Sequence, residues 1–175
     1  DSEAERNIRI KNQEIHRIRQ GFDNNEFKLF YQPKTNMRTG EVIGVEALIR
    51  WQHPDRGLLA PISFLPVLDN HPFIIDLGEW VIDQAIQHIL IWEQQNLTIK
   101  VSVNIGALQV QDPNFPNKLR DIFSRYPSFN PARLDLEILE TVAINDIDIA
   151  VVFFNPNDDG NSSLAWYENN GNESF

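Results

Sequence analysis

Three oxygen-bearing side chains stand inside apolar, strand-like segments of this sequence: Glu46, Asn104 and Glu137. An ionised carboxylate without a partner is costly in an apolar environment, so each acid requires a cation or a hydrogen-bond donor beside it. For Glu46 there are two possibilities, an ion pair with nearby Arg50 or coordination of a metal ion. The segment around Glu46, taken alone, favours the ion pair.

Two carboxylates and one amide oxygen together form a set of hard oxygen ligands. Such a set suits Mg²⁺ or Mn²⁺ and does not suit zinc. Polar side chains are nevertheless common at the ends of strands, so these residue types alone do not establish a metal site. Whether they form one depends on the elements that position them.

Alternating strands and helices are expected to bring the three side chains together. Hydrophobic periodicity predicts helices over 4–20, 76–95 and 117–126, a short apolar helix that begins at Ser63, and strands over 27–32, 41–51, 99–105 and 134–139. This order is typical of a parallel α/β sheet or barrel, in which sites gather at the carboxyl ends of the strands. We therefore expect Glu46, Asn104 and Glu137 at one end of the sheet.

Composition and charge narrow the classes of partner. The chain has 175 residues, of which 42% are hydrophobic, with a net charge of −10 and no cysteine. This length predicts a single core, and the negative charge argues against DNA or RNA as a partner. No apolar run approaches the roughly 18 residues that suggest a membrane helix, so no membrane segment is expected. The absence of cysteine is compatible with a cytoplasmic location.

Several ordered motifs carry a resemblance to a known family. They are YQP at 31–33, RTGEVIGVEALIRWQHP at 38–54, RGLLAP at 56–61, LGEWV at 77–81, VSVN at 101–104 and LEILET at 136–141. Over residues 26–146 the sequence resembles the bacterial EAL-domain family. Members of that family adopt a modified TIM-like barrel and hydrolyse one phosphodiester bond of cyclic di-GMP, which yields linear pGpG, with Mg²⁺ or Mn²⁺.

The resemblance implies a role for each motif residue. It makes metal ligands of Glu46, Asn104 and Glu137. It also implies that Arg50 contacts a substrate phosphate and that Gln32 and Leu48 line the nucleotide pocket. The chemistry agrees with this assignment, because bound cations polarise a phosphodiester and activate water at neutral pH.

Beyond residue 146 the sequence departs from the family pattern. The later EAL motifs supply paired aspartates, a lysine and a general-base glutamate, and these motifs do not follow here, so no complete catalytic set is expected. Residues 147–175 instead resemble a segment of an FG-GAP or VCBS repeat. We therefore expect a lead-in helix over 1–25, the first half of an incomplete TIM-like barrel over 26–146, and a short β-rich tail over 147–175.

Two functions follow from these expectations. In the first, the chain is part of a truncated cyclic di-GMP phosphodiesterase and is inactive as it stands, which leaves its status as an enzyme uncertain. In the alternative, it is a degenerate EAL module that binds the nucleotide or a protein without turnover. Expected partners are cyclic di-GMP and either a second EAL chain or an upstream GGDEF or sensor domain.

Overall fold

A sheet of five strands organises residues 2–138, the part of the chain that this computed structural model describes. The helices are α1 (Glu3–Asp23), α2 (Phe73–Gln94), α3 (Ala107–Gln111) and α4 (Phe115–Ser124). The strands are β1 (Phe27–Thr35), β2 (Val42–His53), β3 (Gly57–Leu59), β4 (Val101–Ile105) and β5 (Leu134–Ile138). Short 3₁₀ turns occupy Pro61–Ser63, Leu65–Leu68 and Pro131–Arg133.

The strand order is β1-β2-β4-β5, with β3 paired to β2. β1 and β2 form an antiparallel hairpin, whereas β2, β4 and β5 run parallel to one another. α2 connects β2 to β4, and α4 lies between β4 and β5, as parallel strands require a helical crossover. The predicted α/β class and partial parallel sheet are confirmed, while the predicted tail over 147–175 lies outside the described residues.

The two faces of the sheet differ in burial. Along β2, Val45, Ala47, Ile49 and Trp51 are each at most 9% exposed. The residues between them are only half-buried. Since successive side chains of a strand point to opposite faces, one face of the sheet is core and the other is accessible.

Helix α2 covers the buried face. Its stripe of buried side chains recurs with the helical period and consists of Leu77, Val81, Ile82, Ala85, Ile86 and Ile89. The predicted helix over 76–95 is confirmed, although it begins earlier, at Phe73. The predicted helix at Ser63 is wrong: two short 3₁₀ turns occupy that region, each with proline in its first turn.

The end of α1 is fixed to the sheet by Glu26. This carboxylate accepts hydrogen bonds from Arg17 Nη2 and from Trp51 Nε1, both at 2.8 Å. Gly21 makes the close approach possible, because a Cβ there would lie 2.7 Å from Trp51 Nε1. The first half of α1, up to Glu14, is exposed to solvent. Among the described helices, none combines the length and the apolar content needed to cross a membrane.

Candidate functional site

The accessible face of the sheet carries all six residues that the sequence singles out. In the β1–β2 hairpin, Gln32 lies opposite Glu46, and Leu48 and Arg50 follow on β2 at alternate positions. Across the parallel strands, Asn104 is the register partner of Glu137. Strand alternation therefore places the six side chains on the face opposite to the one that packs against α2.

Of the three predicted metal ligands, only Asn104 and Glu137 lie near the ends of their strands. Asn104 and Glu137 are each the penultimate residue of a five-residue strand. Glu46 instead lies well inside the twelve-residue β2, where its register partner on β4 is Ser102. The reason is that β2 extends farther than its neighbour β4. Strand β2 continues to His53 and pairs there with β3, whereas β4 has already ended.

Glu46 is satisfied by an amide. Asn104 donates a hydrogen bond from Nδ2 to Glu46 Oε1 at 2.7 Å. Arg50 turns elsewhere: its Nη1 donates to the carbonyl oxygen of Ile49 at 2.9 Å, and its guanidinium carbon lies 5.9 Å from the ring centroid of Phe30. The local sequence predicts a Glu46–Arg50 ion pair. That prediction is wrong, because in the part of the chain that the structure describes the two side chains have other partners.

Glu137 is satisfied by a lysine that sequence reasoning did not select. Lys34 Nζ forms an ion pair with the Glu137 carboxylate and donates a second hydrogen bond to Ser102 Oγ at 2.8 Å. Lys34 shares its strand face with Gln32, two residues earlier. That alternation was the available signal, but the sequence could not show that a lysine on β1 reaches β5.

The donor chemistry of Glu46, Asn104 and Glu137 fits a hard divalent cation. Two carboxylates and an amide oxygen are suitable ligands for Mg²⁺ or Mn²⁺, and the ion pair shows that a positive charge is accommodated at Glu137. Among residues 2–138, no three His, Asp or Glu side chains come together as a metal-binding group. A metal site on this face would therefore need an oxygen donor besides its acids, and Asn104, in contact with Glu46, is one.

A cavity of about 580 Å³ adjoins this face. Its polar edge includes Glu46 and Asn104, and its apolar wall includes Leu48, Pro61 and Leu65. Ligand pockets typically have volumes of about 300–1,000 Å³ and combine apolar walls with a few polar groups. The cavity therefore has the size and the lining of a small-molecule pocket.

A second residue that sequence reasoning missed lies in the wall of this cavity. Gln109 is 2% exposed, and among the described residues its Nε2 has no hydrogen-bond partner. Its amide packs on Gly78, where a Cβ would lie 2.1 Å from Gln109 Oε1. A buried amide nitrogen without an acceptor is energetically unfavourable.

This chain is similar in sequence to a known protein family and to known proteins. A family model described as "EAL domain" matches residues 15–152. The bifunctional diguanylate cyclase/cyclic di-GMP phosphodiesterase MucR of Pseudomonas aeruginosa is 35% identical over 153 residues, which are 87% of this chain and 22% of that protein. The cyclic di-GMP phosphodiesterase PdeR of Escherichia coli is 32% identical over 134 residues, which are 77% of this chain and 20% of that protein.

A solved structure extends the likeness to the fold. The structure titled "PaMucR Phosphodiesterase, c-di-GMP complex" matches with a TM-score of 0.69 and 36% identity, covering 76% of this chain and 54% of that one. The present chain thus spans about a fifth of the length of the two relatives and about half of the solved MucR chain. This partial match confirms the predicted partial EAL-type barrel. None of these comparisons supports the predicted repeat resemblance of residues 147–175.

Proposed function

The chain belongs to the EAL-domain family, and from that premise we propose that its accessible sheet face binds cyclic di-GMP with a divalent cation, as part of a phosphodiesterase site. The observation that carries this proposal is the convergence of Glu46, Asn104 and Glu137 from β2, β4 and β5 on one face. The likeness to a phosphodiesterase solved with c-di-GMP supports the choice of ligand.

In this proposal, Glu46, Asn104 and Glu137 hold Mg²⁺ or Mn²⁺ through their side-chain oxygens. When bound, such a cation polarises a phosphodiester oxygen and lowers the pKa of a bound water. The chain's own contribution is to position the ligands: β4 carries Asn104 next to Glu46, and Lys34 forms an ion pair with Glu137.

Arg50, Gln32 and Leu48 bind the nucleotide in this proposal. The Arg50 guanidinium is half-buried and pairs with no carboxylate among the described residues, so it is available to a phosphate. Gln32 is exposed beside Glu46, and Leu48 belongs to the apolar wall of the 580 Å³ cavity. Together they provide a cation, an amide and an apolar surface for a phosphorylated nucleotide.

We further propose that the 175-residue polypeptide binds without turnover. The sequence contains no lysine after Lys118 and none of the later family motifs that supply the paired aspartates and the general base. Loss of such groups typically lowers the rate by orders of magnitude. Turnover would then depend on the second half of the domain in a cytoplasmic parent protein. The proposed partners of this chain are a second EAL chain or an upstream GGDEF or sensor domain.

Isothermal titration of the 175-residue chain with cyclic di-GMP and Mn²⁺ tests the proposal. We expect saturable binding that requires Mn²⁺ and is lost in Glu46→Gln, with no pGpG detected by chromatography. Lys28→Met serves as the control, because Lys28 lies on the same strand but is not assigned a ligand. Binding that survives Glu46→Gln would contradict the proposed site, and release of pGpG would contradict the absence of turnover.

A further inference from the structure

Lys34 occupies an unexpected place in the proposed metal site. It belongs to β1, yet its Nζ contacts Ser102 Oγ on β4, at 2.8 Å, and the Glu137 carboxylate on β5. Its own register partner on β2 is Gly44, which has no side chain to stand between Lys34 and the strands beyond. An ammonium group therefore reaches one of the three proposed ligands across two intervening strands, β2 and β4.

We propose that Lys34 is a resident counter-ion which a divalent cation must displace from Glu137, and that Lys34 thereby sets the cation affinity of the site. The inference rests on the proposed function, which makes Glu137 a ligand. An ammonium and a divalent cation repel each other at short distance, and both require the Glu137 oxygens. Cation binding therefore includes the cost of breaking the Lys34–Glu137 pair.

The surroundings allow this exchange. The side chain of Lys34 is 34% exposed and that of Glu137 is 42% exposed, so the lysine has a route into solvent. The nearby Asp135 already has a partner, since Lys100 Nζ lies 3.4 Å from its Oδ1. Ser102 is buried and stays in place as a neutral oxygen when the lysine leaves.

Lysine exchange also has a consequence for the ligand. A displaced Lys34 remains on the same face as Gln32, two residues along β1, and keeps its positive charge there. Cyclic di-GMP carries two phosphates, and a mobile ammonium beside them would favour binding. Lys34 is thus a positioning residue that neutralises Glu137 in the absence of metal and becomes available to a phosphate when metal is bound.

Mn²⁺ titration followed by electron paramagnetic resonance of the free ion tests the inference on the 175-residue chain. We compare the wild type with Lys34→Gln and Lys34→Met, and use Lys28→Met as the matched control for loss of one positive charge on the same strand face. Removal of Lys34 is expected to tighten Mn²⁺ binding about tenfold or more, whereas Lys28→Met stays within about twofold. Circular dichroism establishes that each variant is folded.

Covalent labelling of amines provides a second readout. In the wild type, Mn²⁺ is expected to increase acetylation of Lys34 several-fold while that of Lys28 stays constant, as measured by mass spectrometry. Unchanged or weaker Mn²⁺ binding after removal of Lys34, or labelling that Mn²⁺ does not increase, would overturn the inference.

The two failures can be told apart. If the wild type binds Mn²⁺ in a Glu46-dependent manner and Lys34→Gln binds it equally well, only the role of Lys34 is wrong. If neither the wild type nor the Lys34 variants bind Mn²⁺, the proposed metal site fails and the inference fails with it.

Discussion

Asn104 donates a hydrogen bond to Glu46 over 2.7 Å, from Nδ2 to Oε1, and so joins two strands whose residues are 58 positions apart. In this arrangement the amide nitrogen faces the carboxylate. Rotation about the last side-chain bond of Asn104 would present its oxygen instead, because an amide carries a donor and an acceptor on opposite sides. The pair can therefore satisfy itself without a cation and can offer two oxygens when a cation is present.

Asn104→Asp tests this relationship. The substitution replaces the donor with a second carboxylate beside Glu46, so in the presence of a chelator the free energy of unfolding should fall by about 1–3 kcal/mol. Added Mn²⁺ should restore more stability to this variant than to the wild type, as measured by thermal unfolding. Asn12→Asp on exposed α1 is the charge-matched control and should change neither quantity. An unchanged melting temperature in chelator would contradict the prediction.

Gly78→Ala tests the packing of Gln109 against the cavity. The new Cβ would lie 2.1 Å from Gln109 Oε1, so the buried amide must shift from its position beside α2. We expect a loss of about 1–3 kcal/mol in urea unfolding and weaker cyclic di-GMP binding, since overpacking a core is unfavourable. Gly106→Ala is the control, because it also lines the cavity but its Cβ would meet no atom within 4 Å. Equal effects of the two substitutions would contradict the role given to Gln109.

Glu26→Ala tests the anchorage of α1. The change leaves Arg17 Nη2 and Trp51 Nε1 without the acceptor that each contacts at 2.8 Å. The unmet donors should lower the free energy of unfolding by about 1–3 kcal/mol in chemical denaturation. Exposed Asp23 lies at the end of the same helix, and Asp23→Ala should be close to neutral. A neutral Glu26→Ala would show that α1 is held by its apolar contacts alone.

His88 should make stability depend on pH. Burial lowers the pKa of His88 from its usual 6.5, and the Tyr31 hydroxyl lies 2.6 Å from His88 Nδ1. Burial also raises the pKa of Tyr31, so that hydroxyl stays protonated. Below pH 6.5 the unfolded state therefore binds more protons than the folded state. The contribution of His88 to the free energy of unfolding is complete above pH 6.5, and it declines as the pH falls toward the lower pKa of the folded state.

Thermal unfolding between pH 5 and 8 measures this effect, with the pH range set about the ordinary histidine value of roughly 6.5. In His88→Gln, the decline of melting temperature on the acid side should become shallower than in the wild type. His16→Gln, at an exposed position of α1, should keep the wild-type pH profile. Identical profiles for the wild type and His88→Gln would contradict the prediction.

Several elements were predictable because their signals are local. The long apolar stripe of α2 is read from periodicity, and the alternation of β2 places Glu46, Leu48 and Arg50 on one face without knowledge of any neighbour. The 3₁₀ turns between Pro61 and Leu68 are not predictable in this way, because a short apolar segment has no period long enough to separate one turn from a helix.

The partners of the site acids were beyond the reach of local patterns. Sequence proximity favoured Arg50 for Glu46, whereas β4 brings Asn104 to it. Nothing near Glu137 in the sequence indicates Lys34, which is 103 residues away.

The family, the α/β class and the strand face on which the candidate ligands lie are encoded locally, because they follow from motifs and from periods of two and 3.6 residues. Which groups meet on that face depends on how the strands are assembled into the sheet. Strand order and register determine which residues are neighbours across the sheet. Gly44, the register partner of Lys34, has no side chain, and the Lys34 side chain reaches Glu137. Such contacts depend on distances across the sheet, which no segment of the chain encodes alone.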